Sequence, residues 1–244
     1  MHNLMKLTGY ECKRIVKTKT YLFLTVISLA YSIFVLRTQT LFGAYNTAPY
    51  SQWSFISYLH TIMPMLYAIL VILISQQFGK KEKQIQMLTL STQTSYRVQK
   101  TGKAFALGII FCMNLVLCVV AMYLYFAFTL KHIASFDLLL CALLFALPQF
   151  LLIAGLGLWF ASYNANAVYL LLIVITFLTI ANIRLPMIID FIGNSILAIP
   201  ATSIPNAGVI PYVIPPAYLF SRIGFAVIGM LLLIFACRKK RKLI

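Results

Sequence analysis

Acidic residues are scarce in this sequence. The chain has 20 Lys and Arg but only four acids, which are Glu11, Glu82, Asp137 and Asp190. Proton relays through membranes use ionisable side chains at membrane depth, often paired carboxylates. Three of the four acids are predicted at membrane edges and the fourth in an external segment. The pattern therefore disfavours proton-coupled transport.

Several enzyme motifs are also missing. The three histidines, His2, His60 and His132, are far apart and form no His-Glu-x-x-His arrangement. No Gly-x-Ser-x-Gly occurs, and Gly79-Lys80 lacks the other residues of a phosphate-binding loop. The five cysteines show neither zinc spacing nor a disulfide framework. We therefore expect no metal site and no cofactor bound by this chain.

Apolar residues dominate what is present. Hydrophobic residues make up 62% of the chain and charged residues 10%, against about a quarter charged in soluble domains. Spans need about 20 residues each, so 244 residues leave room for six. We predict an all-α membrane protein with one transmembrane domain over 1–244 and six transmembrane helices. The predicted spans are 21–36, 53–78, 104–130, 138–160, 167–183 and 217–236.

The basic residues favour one side of the membrane. Sixteen of the 20 lie in residues 6–19, 80–103 and 238–242, all near predicted membrane ends. Lys and Arg near span ends stay on the cytoplasmic side, so we expect both termini in the cytoplasm of a cell membrane. The same distribution suits anionic lipid headgroups and makes nucleic-acid binding the weaker interpretation.

Residues 4–17 form a predicted amphipathic helix along the inner membrane surface. Its lysines occupy one sector and its apolar side chains the opposite one. Glu11 lies within the apolar sector. Two interpretations stay open: Glu11 is paired with Arg14 or with a basic residue further along the chain, or it lies at the sector edge and tilts to water.

Residues 79–103, here called the basic segment, are too long for an ordinary turn. The segment combines Lys and Arg with an apolar subset, namely Ile85, Met87, Leu88, Leu90 and Tyr96. This combination favours a folded cytoplasmic piece that docks on a partner. The alternative is a solvated basic loop.

Prolines mark a second unusual stretch at 184–216. Six prolines in one connection cannot lie in a lipid-facing helix, because each removes a backbone donor. We predict an external cap or re-entrant segment that contains Asp190. Arg222 follows near the outer end of the last span, where we expect its side chain to snorkel to the interface.

A few polar or small residues fall inside the predicted spans. His60, Asn114 and Gln149 are candidate pathway residues, because polar groups at membrane depth are functional candidates. For His60 the alternative is a hydrogen-bonded packing residue. Gly155 and Gly157 are better explained by close helix packing.

Two stretches carry a resemblance to a known family. Residues 7–24 read LTGYECKRIVKTKTYLFL, and the segment after the second span contains Glu82, a Leu-rich turn, Ser91-Thr92 and a basic end. With six spans, this order resembles the type-2 permease family of ATP-binding cassette transporters. The family's Tyr-Glu-x-x-Arg pattern corresponds here to Tyr10, Glu11 and Arg14.

The resemblance implies a transport subunit without its own ATPase. In such permeases the basic segment couples to a separate ATPase subunit that binds ATP and Mg, and two permease chains, identical or related, form the pathway. The coupling residues implied here are Glu82, Lys83, Met87, Leu88, Ser91, Thr92, Tyr96 and Arg97. Apolar spans favour export of hydrophobic or amphipathic cargo, and short permeases of this family resemble bacteriocin-immunity and antibiotic-export systems.

Two other functions stay open. One is a membrane-embedded enzyme that acts on lipids or peptides through polar groups at membrane depth. The other is a non-catalytic immunity protein that binds a peptide directly.

Overall fold

The computed structural model describes residues 2–40, 51–79, 82, 96–131, 137–181, 185–197 and 213–238. These residues form α-helices joined by turns. The helices are α1 (His2–Val16), α2 (Lys19–Val35), α3 (Gln52–Gln77), α4 (Tyr96–Tyr125), α5 (Asp137–Tyr163), α6 (Val168–Ile180) and α7 (Pro216–Arg238). Short π-helical turns, Leu36–Thr40 and Phe126–Leu130, extend α2 and α4. The all-α prediction is confirmed for this part of the chain.

Five of these helices are long and apolar enough to cross a membrane, and they suggest a membrane protein. They are α2, α3, α4, α5 and α7, with α2 and α4 counted together with their π turns. Helix α6 has 13 residues and is therefore only about 20 Å long, against a hydrocarbon core of about 30 Å. It is apolar but too short to span alone.

Local signals explain where two spans begin. The Thr18 side chain accepts a hydrogen bond from the Tyr21 backbone N–H, and the Ser51 side chain accepts one from Ser54. Both are N-caps, which satisfy donors that a helix start leaves free. Thr18 also ends α1, because its backbone N–H donates to the Ile15 carbonyl. One threonine thus separates the lead-in helix from the first long apolar helix.

The described residues place a polar cluster towards each end of the bundle. Helix α1 packs on the start of α4, beside the end of α3, and we call this the lead-in end. Residues 185–197 pack near His60 and the start of α7, which we call the far end. His60 belongs to the far end and Gln77 to the lead-in end. At 1.5 Å per residue, these two residues lie about 25 Å apart along α3.

Helices α5 and α7 cross at unusually close range. A Cβ on Gly155 would lie 2.5 Å from the Gly229 carbonyl oxygen, and one on Gly229 would lie 2.4 Å from the Leu151 carbonyl. A Cβ on Gly157 would lie 2.8 Å from the Ile74 side chain of α3. Small residues allow such close backbone approach in membrane helices. The attribution of Gly155 and Gly157 to helix packing is therefore confirmed.

Two predicted boundaries are wrong. Helix α4 begins at Tyr96 rather than at residue 104, so the last part of the basic segment is the first two turns of a long helix. The lysines in those turns, Lys100 and Lys103, are buried against neighbouring helices, which is why the helix extends beyond the apolar run. Helix α5 continues to Tyr163, into the residues predicted as the turn 161–166.

Candidate functional site: two buried polar clusters

The lead-in cluster joins three parts of the chain through ion pairs. Arg14 of α1 lies between two acids: its Nη2 is 2.7 Å from Glu11 Oε2 and its Nη1 is 2.6 Å from Glu82 Oε1. Lys103 of α4 contacts the same Glu82 oxygen at 2.7 Å. Two acids and two bases therefore form one chain of contacts with balanced charge.

The end of α3 completes this cluster. Arg14 also donates a hydrogen bond to the Gln77 side chain, and Lys103 Nζ donates to the Gln77 carbonyl at 3.3 Å. Lys103 is only 1% exposed and lies 5.8 Å from the centre of the Phe78 ring. A lysine at a helix C-terminus satisfies a carbonyl that the helix leaves free. The cluster thus ties α1, α3, Glu82 and α4 together.

The two glutamates respond differently to the same surroundings. Burial alone would raise the pKa of Glu82, but hydrogen bonds and charge from Lys103 and Arg14 outweigh it and hold that pKa below its ordinary value. For Glu11, burial is the larger effect, and it raises the pKa despite the attraction of Arg14 and Lys103. Glu82 is therefore the well-compensated carboxylate of the pair.

Packing brings α1 to this position. A Cβ on Gly102 would lie 2.9 Å from the Leu7 side chain, so a larger residue there would force that side chain to move. One turn on, Cys12 Sγ lies 3.8 Å from the Ala106 carbonyl oxygen. Glu11 and Ile15 face the same contact and are 3% and 1% exposed. The structure therefore selects the paired alternative for Glu11 over the one in which it tilts to water.

The other predicted coupling residues have different outcomes. Arg97 is exposed on the first turn of α4, and Tyr10 of α1 is 64% exposed. Tyr96 begins α4. The remaining coupling residues lie outside the described residues; they are Lys83, Met87, Leu88, Ser91 and Thr92.

The far cluster is built around residues 185–197. Asp190 is 0% exposed, and its carboxylate accepts hydrogen bonds from the backbone N–H groups of Gly193 at 2.8 Å and Ser195 at 2.6 Å. Gly193 has a φ of +100°, which favours glycine. These bonds close a compact turn. Asp190 is thus a buried structural acid, and its place in an external cap or re-entrant segment stays a prediction.

Arg222 of α7 fastens this turn to the bundle. Its Nη1 donates to the Phe191 carbonyl at 3.3 Å and its Nη2 to the Asp190 carbonyl at 3.1 Å. The guanidinium lies 4.2 Å from the centre of the Tyr218 ring, a cation–π distance. Arg222 is 3% exposed. The prediction that it snorkels to the interface is wrong, because buried backbone carbonyls hold it inside.

Two of the three candidate pathway residues hold the same turn. His60 Nε2 lies 2.6 Å from Asn194 Oδ1, which agrees with the hydrogen-bonded packing interpretation of His60. Gln149 Nε2 donates to the Ile192 carbonyl at 3.2 Å, and Gln149 Oε1 accepts from the Tyr67 hydroxyl. The far cluster is therefore anchored by α3, α5 and α7 together.

Asn114 lies apart from the other two. Its side-chain oxygen accepts hydrogen bonds from Tyr21 and Thr25 of α2, both at 3.2 Å. Neither of the two described cavities is lined by His60, Asn114 or Gln149. Asn114 is therefore separate from the far cluster, and a pathway role for the three residues stays a prediction.

Sequence reasoning missed the roles of Lys103 and Arg222. Arg222 interrupts an apolar run, and an ionisable residue inside a span is a functional candidate by default, so this signal was present. Lys103 gave no such signal, because it follows other basic residues at a membrane edge. Its burial depends on Glu82 and Gln77, 21 and 26 residues away along the chain.

Within the described part of the chain, no group of three or more His, Cys, Asp or Glu residues could hold a metal ion. Comparison with protein-family models, with curated proteins and with solved structures gives no match.

Proposed function

We propose that this chain is the membrane-spanning subunit of an ATP-binding cassette exporter, as its resemblance to type-2 permeases implies. A separate ATPase subunit would bind ATP and Mg, and a second permease chain would complete the pathway. Helix α6, with its flanking residues, would make the sixth crossing. The bundle would alternate between inward-open and outward-open states.

The lead-in cluster is the observation on which this proposal depends most. A coupling element must pass movement from a partner protein to several helices at once. The basic segment leaves the end of α3 and enters the start of α4, and Glu82 within it contacts Arg14 and Lys103. A push on this segment would therefore be transmitted to α1, α3 and α4 through these contacts. That is the mechanical requirement for coupling.

The charge distribution supports a cytoplasmic position for the lead-in end. Among the described residues, this end carries eight basic residues close to helix ends: Lys6, Lys13, Arg14, Lys17, Lys19, Arg97, Lys100 and Lys103. Arg238 ends α7 on the same side. The far end has Arg37, Lys131 and the buried Arg222. By the positive-inside rule, this distribution supports a cell-membrane protein whose lead-in end and both termini face the cytoplasm.

The apolar character of the spans supports hydrophobic or amphipathic cargo, such as a bacteriocin-like peptide or an antibiotic. Both described cavities are lined almost entirely by apolar side chains. Cavities of this kind favour apolar ligand surface, with a few polar groups to orient it. Immunity or resistance by export would follow from this cargo class.

Purification from membranes of the native host tests the proposal. A tagged chain should co-purify with an ATP-binding cassette ATPase subunit, identified by mass spectrometry and by ATP hydrolysis. Met87→Asp and Leu88→Asp should remove the ATPase, because they place charge on the apolar part of the basic segment. Lys13→Ala on the exposed face of α1 is the matched control.

Three results would contradict the proposal. The first is wild-type protein that carries no ATPase subunit. The second is ATPase that stays bound to both Asp variants. The third is protection against a peptide that persists when the ATPase gene is deleted, which would favour a direct-binding immunity protein instead.

A further inference from the structure

A partly enclosed cavity lies beside the far cluster, between α3, α5 and α7. Its volume is about 260 Å³, close to the lower end of the range for small-molecule sites. Its walls are mainly apolar and include Ile56 of α3, Leu144, Phe145 and Pro148 of α5, and Ile223 and Ala226 of α7. Leu144 and Ile223 are also exposed on the outer surface of the bundle. The cavity is thus open towards the region where lipid chains would lie.

One wall of this apolar cavity carries a buried cation. Arg222 lines the cavity and is 3% exposed. Its two Nη atoms donate to the carbonyls of Asp190 and Phe191. Its Nε has no hydrogen-bond acceptor within the described residues. Nε is itself shielded from the cavity, so a ligand would meet the charged side chain rather than Nε, and a buried charge without a direct counter-ion is costly.

The nearby acid does not meet this need. Asp190 uses its two carboxylate oxygens to accept hydrogen bonds from the N–H groups of Gly193 and Ser195. No ion pair within 4.0 Å joins Asp190 to Arg222 among the described contacts. Tyr218, also at the cavity wall, packs its ring on the guanidinium, and its hydroxyl supplies no counter-ion. The cavity therefore borders a buried cation that no carboxylate pairs directly among the described contacts.

We propose that this cavity binds a single-chain amphiphile whose anionic oxygen head group pairs with the Arg222 guanidinium and whose apolar chain lies between α5 and α7. Arg is suited to such a head group, because its guanidinium donates to carboxylate and phosphate oxygens. The small volume favours one chain over two. This proposal does not require an ATPase partner and can fail or succeed separately from the proposed transport function.

Titration with four 12-carbon probes tests the site. The full chain is purified in a neutral maltoside detergent, and bound probe is counted by native mass spectrometry. Dodecanoate and dodecyl phosphate carry the anionic head group, whereas dodecanol and dodecylamine carry the same chain without it. At least one anionic probe should bind about 10-fold or more tighter than dodecanol, the difference expected for a charge-assisted hydrogen bond. The stronger anionic probe tells a carboxylate ligand from a phosphate one.

Variants separate the cavity from the general detergent-covered surface. Ala226→Phe and Leu144→Trp fill the cavity from opposite walls without removing a hydrogen bond, and each should weaken anionic-probe binding at least about 10-fold. Gly224→Ala on α7 is the matched control, because a Cβ there meets nothing within 4 Å. Arg222→Gln removes the positive charge and should remove the preference for an anionic head while leaving weak binding of the chain.

The inference is overturned by any of three results. The first is dodecanol or dodecylamine binding as tightly as both anionic probes. The second is wild-type binding by both folded cavity-filling variants. The third is a full head-group preference in Arg222→Gln. Thermal unfolding of each variant identifies which ones are folded. Leu144 is 44% exposed, so Leu144→Trp supplies the result if Ala226→Phe does not fold.

Discussion

The two polar clusters bury charge in different ways. At the lead-in end, two acids and two bases pair directly through their side chains. At the far end, Asp190 and Arg222 each bond mainly to backbone groups of residues 190–195. Direct pairs can separate and re-form as helices move, whereas bonds to backbone groups define the shape of a turn. We therefore expect the lead-in cluster to be a movable joint, whose contacts change when helices move, and the far cluster to be a fixed closure, whose contacts persist.

Loss of Arg222 should have the largest effect on stability. Arg222→Ala leaves the Asp190 carboxylate without the nearby positive charge and frees two buried carbonyls. Removal of one partner from a buried charged network typically costs about 3–5 kcal/mol. Denaturant titration in detergent measures the change in the free energy of unfolding. Arg238→Ala, exposed at the end of the same helix, should change it by less than about 0.5 kcal/mol. Equal effects of the two variants would refute a fixed closure.

Much of this comparison could be anticipated from the sequence, but only where the determining contacts are local. The long apolar runs predicted the span helices, and the helical wheel placed Glu11 on the buried face of α1, since both patterns depend on neighbouring residues. Arg14 is one turn from Glu11, so their pairing was also accessible.

The remaining contacts are distant in sequence. Asp190 and Arg222 meet across 32 residues and His60 and Asn194 across 134. No periodicity encodes such pairs. They depend on how α3, α5 and α7 converge, and this convergence depends on close backbone contacts such as that at Gly229. A polar residue in a span indicates that a hydrogen-bonding partner exists, but it does not identify that partner.

Glu82→Gln should have the second largest effect. The amide can still accept a hydrogen bond from Lys103, but it no longer offsets the charges of Lys103 and Arg14. Because Lys103 keeps its bond to the Gln77 carbonyl, we expect a loss of about 2–3 kcal/mol, the value of a hydrogen bond to a charged group. The same denaturant titration measures it, with the exposed Lys13→Ala as control. A loss as large as that of Arg222→Ala would mean that the lead-in cluster is no more movable than the far one.

Gly229→Ala tests whether the two ends are mechanically separate. The added Cβ would lie 2.4 Å from the Leu151 carbonyl, so α5 and α7 must move apart. Overpacking of this kind costs about 1–3 kcal/mol. Gly224→Ala on the same helix should be nearly neutral. Cysteine cross-linking across each cluster then shows which one shifts; a shift at the lead-in end alone would contradict α5 and α7 as the support of the far cluster.

The smallest expected effect is the pH dependence of the lead-in cluster, because its two acids oppose each other. The pKa of Glu82 is lowered by Lys103 and Arg14, so its contribution to stability is full above the ordinary value of 4.5 and is lost as the pH falls through the lowered pKa. The pKa of Glu11 is raised by burial, so its ionised form costs stability at neutral pH. That cost is relieved as the pH falls through the raised pKa towards 4.5.

Stability should therefore rise slightly on mild acidification and fall below pH 4.5. Unfolding midpoints measured from pH 7 to pH 3.5 should lose the rise in Glu11→Gln and lose the acid fall in Glu82→Gln. A wild-type stability that only falls with acid, with the same profile in Glu11→Gln, would show that Glu11 is stabilised as a carboxylate and that the two acids act alike.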